Sequence, residues 1–153
     1  VPIDHKADIV VTVAAHPMDI DLYQSQKALD NAKGAIKEDG SIILISSCRD
    51  GLGEKTFVDL LQSSSTLGGV FENITSGYKL GYHKAYKMAE IFEHHRVYLY
   101  SEIEKIQVER MFMKPIVSLQ ETISALLEQK GKDATILFLM DGCVTIPHVT
   151  GYK

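Results

Sequence analysis

The sequence predicts an α/β fold of three layers, a mostly parallel sheet of about four to five strands with helices on both faces. Three observations lead there. The β-branched runs at residues 8–15 (DIVVTVAA) and 41–46 (SIILIS) lack polar alternation, so they read as strands buried on both faces, as in parallel sheets. Segments of helical periodicity separate the strand runs along the chain, the pattern of a sheet built by crossovers. Finally, 153 residues at 45% hydrophobic and 24% charged suffice for a proper core. One single α/β domain is therefore expected over residues 1–153.

Each element has a local reason. His16-Pro17 ends the first run, because a residue before proline is biased away from helical angles. Asp19 or Asp21 can then cap a helix by accepting from its free N–H groups. That helix is expected to reach about residue 37, with Leu22, Leu29, Ala32 and Ile36 on one side. Tyr23, Gln24 and Lys27 fall together on a different side, at spacings that let them touch, and Asn31 and Gly34 continue that side. Asp39-Gly40 closes the helix before the second strand. Residues 48–53 (CRDGLG) form a glycine-bearing turn at that strand's carboxyl end.

A short helix over 54–61 would turn Phe57, Leu60 and Leu61 inward. Residues 62–77 are rich in Ser, Thr and Gly and aperiodic, and are expected to be the longest irregular stretch. Residues 80–93 read as a helix with Ala85, Met88, Ala89 and Phe92 on one face, and 96–100 as the third strand. Ser101-x-x-Glu104 and Ser118-x-x-Glu121 both fit the capping box. The first should open a short helix ending near Met111. The second opens one with Leu119, Ile123, Leu126 and Leu127 inward, closed by Gly131. Residues 135–140 are the last strand, followed by the turn Asp141-Gly142-Cys143.

Several function classes are disfavoured. A net charge of -4 does not suit general nucleic-acid binding, which needs clustered Lys and Arg. No apolar run approaches membrane-span length, so neither nucleic acid nor membrane is an expected partner. Cys48 and Cys143 lack CxxC or zinc spacing, which suits a reducing, cytoplasmic setting. The six histidines show no HxxxH or HExxH pattern, so no metal site is expected within the chain. Gly68-Gly69, Gly77 and Gly81 do not form a dinucleotide-binding GxGxxG.

Sites on such sheets lie beyond the carboxyl ends of the strands. The segments there are 14–27, 47–53, 101–105 and 141–147. In the first, Tyr23, Gln24 and Lys27 suit a small carboxylate: the ammonium supplies charge, the amide and phenol fix orientation, and the helix start adds a favourable field. The same three residues also fit an ordinary solvated helix face. His16 stands beside them as a cleft-lining candidate or a plain turn residue. Cys48 and Gly51 could form a second wall, Cys48 also fitting a buried structural role. A nucleophilic Cys48, the basis of a self-contained hydrolase, would need a histidine partner that the sequence does not place.

Taken in order, HPxDxxLYQxxKALDNA, GxIILxxxCxxGLG, LGYHKA and SLQETxxxLLxxxGxDAxxLFLxxG are similar to the C-terminal domain of the nickel-dependent lactate racemase family. The resemblance covers nearly the whole chain. Its most specific part is Tyr23-Gln24-x-x-Lys27 with the preceding Pro17-x-Asp19. Where family members show a glycine pair before His-Pro, this chain has Ala14-Ala15.

The resemblance implies a two-domain enzyme with its active site in the cleft between the domains. An N-terminal domain would hold a covalently attached nickel-pincer nucleotide and the catalytic histidines. Hydride would pass from the α-carbon of a 2-hydroxy acid to that cofactor, through a transient 2-keto acid. Carried over by position, Gln24 and Lys27 match substrate-holding residues, with Tyr23 beside them. No catalytic residue and no cofactor is then expected in this chain, which alone should be inactive. Val1 in place of a start methionine fits a piece of a longer protein. From another class, a non-catalytic module that binds or senses a small carboxylate remains the alternative.

Overall fold

The computed structural model describes residues 1–77 and 79–150. The last three positions of the domain expected over 1–153 lie outside the described residues. The elements are β1 (Pro2–Ile3), β2 (Ala7–Val13), a 3-10 turn (Met18–Ile20), α1 (Leu22–Ala32), β3 (Ile36–Ile45), α2 (Lys55–Leu61), α3 (Leu67–Thr75), α4 (Tyr82–His94), β4 (Arg96–Tyr100), α5 (Lys105–Arg110), β5 (Lys114–Pro115), α6 (Leu119–Lys130), β6 (Ile136–Leu139) and β7 (His148–Val149).

Five strands form one parallel sheet in the order β5-β4-β3-β2-β6, and β1 pairs with β7 apart from it. The three-layer α/β expectation holds. Val10 of β2, Ile42 and Leu44 of β3 and Val97 and Leu99 of β4 pack under α1 to α5 in the larger core. Ile9, Val11 and Ile43 point to the other face and meet Leu126 of α6, with Leu119, Ile123 and Leu127 around it. This is the period-2 alternation of a strand, apolar on both sides. The second face is covered only in part: Phe138 and Met140 are 51% and 70% exposed.

Four local expectations change. First, α1 stops at Ala32 rather than near residue 37, and Ile36 belongs to β3. Ala7 N–H bonds the Ala35 carbonyl at 2.8 Å and Ile36 pairs with Ala7, so strand pairing overrides helical periodicity. Second, residues 67–75 of the stretch expected to be irregular form α3. The Thr66 hydroxyl caps it on Gly69 N–H, Val70 is fully buried, and Phe71 meets Tyr86 edge-to-face at 5.5 Å. Third, Ser101 does not cap α5: Glu104 holds the cap position without a side-chain bond, while Ser101 accepts from Ile103 N–H. Ser118 does cap α6, on Glu121 N–H. Fourth, the strand pairs involving Pro2–Ile3, His148–Val149 and Lys114–Pro115 were not foreseen.

Strand order reverses at β2, whose neighbours β3 and β6 are reached by crossovers on opposite faces of the sheet. That is the topological switch point at which open α/β sheets bind ligands. The carboxyl ends of β2 and β6 deliver residues 14–27 and 141–147 to it.

Candidate functional site

The start of α1 is held by a web of local bonds. Asp21, rather than Asp19, is the cap: its Oδ1 accepts from Gln24 N–H at 2.7 Å. The loop at 48–53 runs alongside, accepting from two amides of the first turn and donating its own to the carbonyls before it. Asp50 N–H bonds the Ile20 carbonyl, Leu22 N–H the Gly51 carbonyl and Tyr23 N–H the Leu52 carbonyl. The N–H groups expected to help attract an anion are thus occupied by the protein. The Gly51 amide is occupied too, by the Cys48 carbonyl at 2.8 Å.

Below this web lies a polar knot. Ser25 Oγ donates to the carbonyls of Met18 and Asp21 or shares a 2.7 Å bond with Ser46 Oγ, and the Cys48 thiol donates to Ser46 Oγ at 3.2 Å. These bonds tie the carboxyl end of β3 to α1. Cys48 is 2% exposed at φ +49, and burial pushes its thiol up from the ordinary range. Its side chain belongs to the core, the structural role, rather than to a cleft wall. Gly51, at φ +81, stands on the surface side of the same loop. His16 is largely exposed, with Nδ1 3.6 Å from Asp19 Oδ1.

The three recognition candidates do lie on one side of α1. Tyr23 and Gln24 are half-buried and Lys27 is exposed. Among the described residues, neither the Gln24 amide nor the Lys27 ammonium has a hydrogen-bond or ion-pair partner. The Lys27 charge adds to the lowering of Lys84 on α4 and opposes the raising of Cys143 in the turn after β6. That turn is pinned to α1: Asn31 Nδ2 donates to the Gly142 carbonyl at 2.7 Å and to the Cys143 carbonyl at 3.2 Å. A Cβ on Gly34 would lie 2.7 Å from the Pro147 carbonyl oxygen. Asn31 and Gly34 therefore admit the chain's own segment after β6.

Lys84 was missed from the sequence. Its Nζ donates to the Tyr23 carbonyl at 2.9 Å and stands 3.7 Å from the Tyr23 ring centroid. Burial holds this ammonium below its ordinary value, and the Lys27 charge adds to the effect while the Asp21 carboxylate opposes it. One signal was available: Lys84, Met88 and Ile91 repeat at i, i+4, i+7, so a lysine shares a face with two buried apolar residues.

A cleft of about 570 Å³ opens elsewhere, between Ile45, Tyr100, Glu102 and Val117. It includes none of Tyr23, Gln24 and Lys27.

A family model described as the lactate racemase C-terminal domain matches residues 3–146. The lactate racemase of Thermoanaerobacterium thermosaccharolyticum is 29% identical over 146 residues, covering 92% of this chain and 34% of its own length. That of Lactiplantibacillus plantarum is 24% identical over 141 residues, covering 88% and 33%. The structure of the lactate racemase apoprotein from T. thermosaccharolyticum is similar at TM-score 0.85 and 28% identity, over 94% of this chain and 36% of that one. The chain spans about a third of the length of these relatives.

Proposed function

Because the chain belongs to the lactate racemase C-terminal domain family, we propose that it is the substrate-contacting domain of a 2-hydroxy-acid racemase or epimerase. The observation that carries this is the pairing of two unengaged side chains, Gln24 and Lys27, with a rigidly held Tyr23 at the switch point of the sheet. Lys27 Nζ binds the substrate carboxylate, a group present in both the hydroxy acid and the keto acid. The Gln24 amide and Tyr23 hydroxyl fix the plane and direction of the acid. This half of the site orients and does not move protons, and fixed geometry is what such a reaction needs from it.

Among the described residues, no group of three or more His, Cys, Asp or Glu side chains could hold a metal ion, and both thiols are buried. The nickel-pincer nucleotide, the catalytic histidines and the opposing wall of the cleft are assigned to an N-terminal domain in the remainder of the longer protein. No helix among the described residues is long and apolar enough to cross a membrane. A cytoplasmic location is part of the same proposal.

The test is D/L-lactate interconversion by the full-length protein co-expressed with cofactor-maturation enzymes. Lys27→Ala should raise KM and lower kcat, a loss of about 2–4 kcal/mol in kcat/KM for an enclosed charged contact. Its fold should survive, since Lys27 is exposed. A nickel-loaded protein that racemises no 2-hydroxy acid tried would overturn the proposal. Calorimetry on this chain alone should show little binding of lactate; strong binding would favour a sensing module.

A further inference from the structure

The Tyr23 side chain is enclosed on three sides. The Phe57 ring meets it edge-on at 5.4 Å and 72°. Gly53 lies so close that a Cβ there would be 2.7 Å from Tyr23 Cβ. Lys84 closes the third side, its ammonium 3.7 Å from the ring centroid and 2.9 Å from the Tyr23 carbonyl oxygen it donates to.

Withdrawing a lysine head group from water is costly unless it is paired and hydrogen-bonded, and Lys84 is half-buried. Lys84 has no carboxylate ion pair among the described residues. Its partners are a carbonyl, a π face and the more distant Asp21 charge. A cation against a tyrosine face is attracted by the ring quadrupole, more strongly as water is excluded. The bond to the main chain of the same residue prevents the ammonium from drifting off the ring. Together these contacts fix the plane of the phenol. Lys84 comes from α4 while Tyr23 comes from α1, so the clamp also joins the two helices.

We infer that Lys84 is a positioning residue: it clamps the ring and main chain of Tyr23 and thereby sets where the Tyr23 hydroxyl meets the substrate. This rests on the proposed function for its kinetic consequence, while the clamp itself can be read separately. Lys84 does not serve as a second carboxylate ligand.

The experiment uses the full-length protein in two arms. In the kinetic arm, Lys84→Met should lower kcat by about tenfold to a hundredfold with KM changed by less than about threefold, as for misorientation of a bound substrate. Lys84→Arg, which keeps a cation able to stack on the ring, should recover most of the loss. The loss from Lys84→Met should vanish in a Tyr23→Leu background, since nothing remains to be positioned. An unchanged kcat, or a rise confined to KM, overturns the inference, the second outcome marking a direct ligand.

In the spectroscopic arm, lysine labelled with 13C at Cε is followed by NMR. The Lys84 Cε protons should be shifted upfield by the Tyr23 ring current and return to the ordinary position in Tyr23→Leu. Absence of that change overturns the clamp, whatever the kinetics. A wild-type protein that racemises nothing while showing the ring-current shift overturns the proposed function and leaves the clamp standing.

Discussion

Replacing Gly53 by alanine should cost clearly more stability than replacing Gly51, although the two share one loop and similar φ values. Their φ values are +89 and +81, so each alanine meets the conformational penalty of the left-handed region, about 1–2 kcal/mol. At Gly51 nothing else follows, because an added Cβ finds no heavy atom within 4 Å. At Gly53 the Cβ would lie 2.7 Å from Tyr23 Cβ and 2.8 Å from Asp21 Cγ. Neither atom is the far end of a flexible side chain. Asp21 is also the α1 cap, bonded to Gln24 N–H, so moving it weakens the helix start. Overpacking of this kind costs a further ~1–3 kcal/mol. The expected losses are therefore about 1–2 kcal/mol for Gly51→Ala and about 2–5 kcal/mol for Gly53→Ala. Urea unfolding of wild type and both variants measures the difference. Coincident midpoints for the two variants would refute the reasoning, because the loop would then not be pressed against α1.

Two further outcomes follow from the titratable groups. Asp8 Oδ2 accepts from Lys37 Nζ at 2.9 Å, Thr135 N–H at 2.9 Å and Thr135 Oγ1 at 2.8 Å, joining the starts of β2, β3 and β6. The bond from Lys37, then that from the Thr135 backbone, holds this carboxyl well below its ordinary 3.8. A carboxyl depressed in the fold contributes stability that is full above its unfolded value and is lost as pH falls below it. Asp8→Asn should cost ~1–2 kcal/mol at neutral pH, discounted for the partly exposed Lys37. Its thermal midpoint should also fall less steeply than wild type below about pH 4, and an identical acid limb would contradict this. Burial of Cys48 raises its thiol, so iodoacetamide at neutral pH should label the native protein far more slowly than the urea-unfolded one, read by mass spectrometry. Rapid native labelling at Cys48 would place the thiol outside the core.

Much of the architecture was legible because its causes are local. β4 falls on residues 96–100 as read, and α6 begins at the Ser118 cap and stops at Gly131. The side of α1 bearing Tyr23, Gln24 and Lys27 follows from 100° per residue alone. What escaped has long-range causes. Gly68-Gly69 hides the periodicity of α3, which forms because Val70 and Phe71 have α4 and the core to pack on. Ile36 satisfies a helical pattern as well as a strand pattern, and only pairing with Ala7 decides between them.

By itself the sequence determined the α/β class, the inward face of the helices it foresaw, and a family resemblance that names Gln24 and Lys27 as candidates. It could not determine what those residues sit against. That the loop at 48–53 occupies the amides of α1, that Cys48 lies inside rather than on a wall, and that Lys84 closes over Tyr23 depend on segments that meet only in three dimensions. Tyr23 and Lys84 are 61 positions apart. Periodicity and capping are written within a few residues, whereas the partners of a side chain are chosen by how helices pack on a sheet, and no short stretch of sequence contains that choice.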